Sequence, residues 1–198
     1  MGEHYFSADP TVAFRRAPVH AEVWGHPLTL SSGSGVFAQG RLDTGTAVLL
    51  RETRPPSARR LLDLGCGYGV IGLALAAAVP GAVVRGVDVN GRAVQLANEN
   101  AAALGLVDRF SAVLPDEVPG EETYDEIWSN PPIRIGKPAL HELLLHWLPR
   151  LADGGRAVLV VGKNLGADSL QRWLGEQGYP TQRLASAKGF RVLEARRS

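Results

Sequence analysis

The 198-residue sequence predicts an α/β domain: a mostly parallel sheet with helices on both faces. Three observations carry that prediction. Beyond Arg59 the chain alternates short apolar runs with helix-length amphipathic runs, the rhythm of strands joined by helical crossovers. A glycine cluster, Gly65-Cys66-Gly67-Tyr68-Gly69, stands where the first of these strands turns into a helix. Polar residues end two later strands, Asp88 the second and Asn130 the fourth, at the edge where such sheets bind ligands.

The elements follow in order. His20 to Ser31 has strand-like residues on either side of Gly25-His26-Pro27 and reads as a hairpin. Asp43 caps a helix that Arg54-Pro55-Pro56-Ser57 ends. Arg60 to Leu64 is a short strand, and Val70 to Val79 has the length and composition of a helix broken by Pro80-Gly81. Ala82 to Val87 is β-branched enough for a second strand, and Ala93 to Leu104 is a helix closed by Gly105. Phe110 to Leu114 and Tyr124 to Ser129 are the third and fourth strands. Pro138 to Leu151 is an amphipathic helix, Ala157 to Val161 a fifth strand after Asp153-Gly154-Gly155, and Ser169 to Gln177 a further helix. Thr181 to Ser186 and Phe190 to Ala195, separated by Lys188-Gly189, form a closing antiparallel pair. Residues 1–57 are therefore expected to be an N-terminal extension with hairpin and helix, and 58–198 the main structural unit.

Composition narrows the function classes. With 45% hydrophobic and 21% charged residues the chain supports one well-cored domain. The longest apolar run, Val70 to Val79, is too short to span a membrane, and no secretory leader is visible, so a cytoplasmic location and no membrane partner are expected. One cysteine and five scattered histidines give neither a disulfide framework nor a zinc spacing, and no metal is expected. Net charge is +1, but residues 1–56 sum to zero, 57–133 to −5 and 134–198 to +6, so the positive excess begins just after Asn130-Pro131-Pro132. Such a surface suits an anionic partner.

Glycines at a strand-to-helix turn let bare backbone and the helix amino terminus approach a small polar ligand. Gly67-x-Gly69-x-x-Gly72 satisfies a dinucleotide fingerprint, with Asp88 at a spacing suited to ribose hydroxyls. Asp63, two residues ahead of Gly65, favours instead a pattern in which a carboxylate at the strand end meets an amino-acid ammonium, the arrangement suited to S-adenosylmethionine. Asp88 serves either reading. Cys66 is a small residue in a crowded turn, with no histidine nearby in sequence to activate it. The histidines His141 and His146, five apart on one helix, are assigned no chemistry.

Asn130-Pro131-Pro132-Ile133 has its own chemical logic. The lone pair of an amine conjugated to a ring or carbonyl is delocalised, and a side-chain oxygen with a backbone carbonyl can accept its two N–H bonds and aim that lone pair at a methyl carbon. Prolines stiffen the acceptors, and orientation and desolvation supply most of the catalysis.

The sequence resembles class I S-adenosylmethionine-dependent methyltransferases with an Asn-Pro-Pro motif, specifically the methyltransferase small domain found in ribosomal RNA guanine-N2 methyltransferases. The resemblance rests on His4-Tyr5-Phe6-Ser7, Gly35-Val36-Phe37, Leu61 with Asp63 to Gly72, Val87 to Asn90, Ser129 to Arg134 and Lys188 to Leu193. It implies a Rossmann-like seven-stranded methyltransferase sheet with one antiparallel strand, helices on both faces and an N-terminal β-hairpin extension. It also implies S-adenosylmethionine as cofactor, held by Asp63, Gly65, Cys66, Gly67 and Gly69 on the methionine side, Asp88 at the ribose, and Val89 and Asn90 on the adenosine flank. Asp116 is the candidate for the adenine amino group, and Asn130 to Ile133 would hold the target amine. Arg134, Lys137 and Lys163 are candidate phosphate contacts and Phe37 a candidate cover for cofactor or base. The implied activity is methylation of an exocyclic amine of an RNA base, guanine N2 of ribosomal RNA foremost, with ribosomal RNA or the small subunit as partner. The family enzyme commonly has an aromatic residue where this chain has Ile133, and it joins two such domains where this chain has one. Alternatives are the same chemistry on DNA adenine or protein glutamine, a non-catalytic RNA-binding module, and an NAD-dependent oxidoreductase.

Overall fold

The computed structural model describes residues 15–38 and 40–197. His4-Tyr5-Phe6-Ser7 lie outside them. Two sheets are present among the described residues: an antiparallel hairpin of β1 (Arg16–Val23) and β2 (His26–Gly33), and a seven-stranded sheet. The hairpin turns at Trp24-Gly25, both with positive φ (50° and 80°), the geometry whose twist matches that of the flanking strands. The turn is thus tighter than Gly25-His26-Pro27 suggested, and His26 and Pro27 already pair as strand residues with Val23 and Glu22.

After helix α1 (Thr44–Glu52) the chain runs β3 (Arg60–Leu64), α2 (Val70–Ala78), β4 (Val83–Val87), α3 (Gly91–Ala103), β5 (Phe110–Val113), β6 (Tyr124–Ser129) and α4 (Lys137–Trp147). β7 (Leu151–Gly162), α5 (Ala167–Glu176), β8 (Thr181–Ala187) and β9 (Phe190–Arg196) complete it. The order across the sheet is β5-β4-β3-β6-β7-β9-β8, and β9 alone runs against the others, antiparallel to both β7 and β8. The seven strands, the one reversed strand and the hairpin ahead of them are those the sequence resemblance implies.

The end of α4 and the start of β7 are displaced from the sequence expectation by four and six residues. α4 stops at Trp147 instead of Leu151, because Pro149 lacks the N–H a continuing helix needs and the chain tightens into a 3-10 turn at Leu148–Arg150. β7 begins at Leu151, earlier than Ala157, and carries Asp153-Gly154-Gly155 as an irregularity opposite Tyr124 to Glu126. Gly154 has φ +73°, and a Cβ on Gly155 would lie 2.8 Å from two carbonyl oxygens, so glycine is required for the strand to loop and rejoin its ladder.

Alternate strand residues face opposite sides of the sheet. Leu61, Val84, Trp128, Val158 and Val160 pack with α1, α2, α3 and the hairpin residues Val19, Val23, Leu28 and Leu30. Leu62, Leu64, Ile127, Ala157, Leu159 and Val161 pack with Leu140, Leu144 and Trp147 of α4 and Leu170 and Leu174 of α5. The hairpin is tied to its face by polar contacts too: Asn100 of α3 accepts from Ser31 N–H at 2.7 Å and donates to Ser31 O at 2.9 Å. Trp24 Nε1 donates to Thr53 O at 3.0 Å, and its ring meets Trp128 edge-on at 6.0 Å. No helix among the described residues is long and apolar enough to cross a membrane.

Candidate active site

A parallel sheet brings the carboxyl ends of its strands to one edge, and that edge builds the site. The turn after β3 is shaped by Gly65, Gly67 and Gly69, with φ of +73°, +53° and +93°. A Cβ on Gly65 or Gly67 would meet nothing within 4 Å, so the backbone lies open to whatever rests on it. Gly69 is different. It is buried, and a Cβ there would press on Ala97 and Leu73, so it fixes the packing of α2 on α3.

Asp63 is wholly buried beneath this turn. Its Oδ2 accepts the Gly72 N–H at 2.7 Å, while Oδ1 has no hydrogen-bond partner. Burial, with Asp88 nearby adding its charge, pushes the Asp63 carboxyl up to about 7, although the Gly72 bond works the other way. Asp88, half-buried at the end of β4, accepts from Gly67 N–H and Asn90 N–H, each at 2.9 Å, and burial raises its carboxyl despite these bonds. Two carboxyls therefore underlie one loop. Cys66 is buried and free, and desolvation followed by the charges of Asp88 and Asp63 pushes its thiol well up, which keeps it protonated and inert.

An open cleft lies over the loop. Gly65, Cys66 and Gly67 form one wall and Asn130 another, while Phe37, Leu42, Asp43 and Thr46 close it from the N-terminal segment. Asn130 Nδ2 donates to Asp43 Oδ2 at 2.7 Å and to Thr46 Oγ1 at 3.1 Å. Asp43 Oδ2 also accepts Thr46 N–H at 3.0 Å as the N-cap of α1. Beyond Asn130, Pro132 has φ −73° and ψ 73°, and Ile133 N–H closes a three-residue turn onto Pro131 O at 2.8 Å. The Pro131 carbonyl is fixed by that bond and retains a second lone pair.

Of the residues singled out by sequence, Phe37, Gly65, Cys66, Gly67 and Asn130 meet in this cleft, with Asp63 and Asp88 behind the loop. Others stand apart from its wall. The buried Asn90 side chain accepts Arg92 and Ala93 N–H as the N-cap of α3 and donates to Gly35 O, which spends it on structure, while Val89 beside it is 46% exposed. Asp116 is exposed on the 3-10 turn Pro115–Glu117 after β5. Ile133 packs against the α4 and α5 face of the core, and Arg134 follows it in the turn Ile133–Ile135. Lys137 opens α4, and Lys163 follows β7, both exposed. Lys163 N–H donates to Gly189 O at 2.8 Å, which brings the exposed Lys188 turn alongside. In the sequence Asp43 reads only as a helix cap, and Thr46 carries no signal of its own. The Asp-Thr-Gly-Thr start of α1 was the available signal, and nothing local ties it to Asn130, 87 residues on.

A model of the methyltransferase small domain matches residues 27–194. The chain belongs to the methyltransferase small domain family. It is 33% identical over 200 residues to the uncharacterized protein YbxB of Bacillus subtilis, covering 100% of both chains. It is 38% identical over 177 residues to the ribosomal RNA small subunit methyltransferase C of Ectopseudomonas mendocina, covering 86% of this chain and 52% of that one. Among solved structures it is similar to the T. thermophilus 16S rRNA N2 G1207 methyltransferase in complex with AdoMet and guanosine: TM-score 0.79, 26% identity, 96% of this chain and 53% of that one. The chain spans about half the length of the ribosomal RNA methyltransferases it matches.

This methyltransferase small domain is an S-adenosylmethionine-dependent enzyme. Its residues fit that cofactor: the backbone at Gly65 and Gly67 lies open to its close approach, and the half-buried Asp88 carboxyl beside Gly67 suits its ribose hydroxyls.

Proposed function

We propose that this methyltransferase transfers a methyl group to an exocyclic amine of an RNA base, guanine N2 of ribosomal RNA, with the RNA or the small ribosomal subunit as partner. The observation that carries the reading is the convergence of Asn130 and the glycine loop on one cleft. S-adenosylmethionine supplies an electrophilic methyl carbon. Asn130 Oδ1 and the free lone pair of Pro131 O accept the two N–H bonds of the amine, turning its lone pair out of conjugation and toward that carbon. No strong base is required, because the methylated nitrogen is cationic and releases its proton to water or to the same acceptors. Phe37, 46% exposed on the cleft wall, offers the flat face for the base, a contact worth about 1–3 kcal/mol, whereas Ile133, half-buried, rests partly against the core. Lys137, Lys163 and Lys188 lie exposed at this edge of the sheet and suit phosphates flanking an extruded nucleotide. Guanine N2 is supported by the printed activity of one similar structure, the T. thermophilus 16S rRNA N2 G1207 methyltransferase.

The test is transfer from tritiated S-adenosylmethionine to small ribosomal subunits, protein-free ribosomal RNA, DNA and protein, with the labelled RNA digested to nucleosides. N2-methylguanosine is expected, abolished by Asn130→Ala with cofactor affinity by calorimetry within about twofold of wild type. Label in protein or DNA alone overturns the reading.

A further inference from the structure

We propose that Asp43, seconded by Thr46, is a positioning residue for transfer: it fixes which end of the Asn130 amide faces the acceptor amine. The inference rests on the reading of Asn130 given above. An asparagine amide is nearly symmetric in shape, and only its hydrogen bonds decide whether oxygen or NH2 points into a cleft. Were the NH2 end to face the acceptor, it would present donors to donors and could not hold an amine. Here both Nδ2 protons have an acceptor on α1. Asp43 Oδ2 takes one at 2.7 Å and Thr46 Oγ1 lies 3.1 Å away, which leaves Oδ1 as the end free for the cleft. A carboxylate accepts and never donates, so Asp43 admits one orientation of the amide only. The charge-assisted bond also draws electron density toward Oδ1 and strengthens it as an acceptor.

The junction is built for close approach. A Cβ on Gly45 would lie 3.0 Å from Asp43 Oδ2, 3.3 Å from Asn130 Nδ2 and 3.0 Å from Phe190 Cε1, tighter than side chains tolerate without displacement. Glycine at this position keeps α1 against the end of β6. The same Asp43 oxygen that caps α1 therefore couples the start of that helix to the acceptor motif 87 residues away.

Three substitutions test this. Asp43→Ser keeps an N-cap but is too short to reach Asn130; Asp43→Asn keeps the acceptor and the cap but adds a competing NH2; Gly45→Ala keeps both partners and drives a methyl between them. Two readouts apply. In the protein without substrate, proton exchange of the Asn130 side-chain NH2, assigned by its absence from the Asn130→Ala spectrum, is expected to be slow in wild type and at least tenfold faster in Asp43→Ser and Gly45→Ala. In transfer from tritiated S-adenosylmethionine to small-subunit ribosomal RNA, kcat is expected to fall about 10–100-fold in Asp43→Ser, with partial recovery in Asp43→Asn. Cofactor affinity and Tm should stay near wild type in Asp43→Asn, whereas a structural role alone would lower Tm and affinity together with rate. An Asn130 NH2 that exchanges equally fast in wild type and Asp43→Ser overturns the inference. So does full kcat in Asp43→Ser while Asn130→Ala is inactive. Activity in Asn130→Ala instead overturns the underlying reading of the acceptor site, and the exchange measurement then still decides whether Asp43 orients the amide.

Discussion

Raising the pH from 5 to 8 should destabilise the protein in the absence of cofactor, through Asp63. Its carboxyl titrates near 7 in the folded chain, well above the ordinary 3.8, because it is fully buried and has Asp88 nearby. Between those two values the folded state holds a proton that the unfolded state has released, so stability is full at low pH and is lost as pH rises through this window. At about 1.36 kcal/mol per unit, the step from pH 5 to 8 removes on the order of 2–3 kcal/mol. For a domain of this size that is a fall in Tm of roughly 4–12 °C. Asp88, raised for the same reason, adds in the same direction. His141, lowered by desolvation and by Lys137, works against it, weakly for so solvated a side chain. Urea unfolding at pH 5, 6.5 and 8 measures the slope, and Asp63→Asn should flatten it. Stability that is level or rising over this range, or an unchanged slope in Asp63→Asn, would refute the assignment.

Two further perturbations probe the scaffold behind the cleft. Gly72→Ala places a methyl 2.5 Å from the buried Phe110 ring and 3.0 Å from Asp63 Oδ2; overpacking of about 1–3 kcal/mol outweighs or cancels the helix gain of about 1 kcal/mol, and weaker S-adenosylmethionine binding with a Tm no higher than wild type is the expected calorimetric result. Arg156 bridges Glu126 at 3.0 Å and the nearly inaccessible Glu194 at 2.7 Å; Arg156→Met removes the cation the two share, while Trp128 still donates to Glu126 and Arg196 and Gln182 to Glu194, and should cost about 2 kcal/mol, a Tm loss of roughly 4–8 °C by thermal denaturation, with no change in cofactor affinity.

How legible each part was depends on how local its cause is. β3, β6, α2 and the helix cap at Asp43 could be read because apolar period, glycine turns and capping residues act over a few positions. The end of α4 is not legible because its amphipathic pattern runs through Leu148 and Leu151, while the single proline at 149 ends it. The start of β7 is not legible because Asp153-Gly154-Gly155 reads as a loop when it is a bulge held by pairing with β6. The glycine loop, the acid after β4 and Asn130 at the end of β6 were recognisable as chemistry. Their surroundings were not: Asn90 caps α3 from a buried position and Ile133 is half-buried against the core, since burial depends on what the rest of the chain lays over each position.

The sequence by itself determined a parallel α/β sheet, the edge at which it works and the residue types gathered there, because strand and helix periodicity and strand-end motifs are written in consecutive residues. Only the tertiary structure decided that Asp63 lies sealed beneath the loop and that the N-cap of α1 holds the amide of Asn130. Both depend on contacts between segments far apart in the chain, whose distance and desolvation exist only once the sheet has closed its two faces.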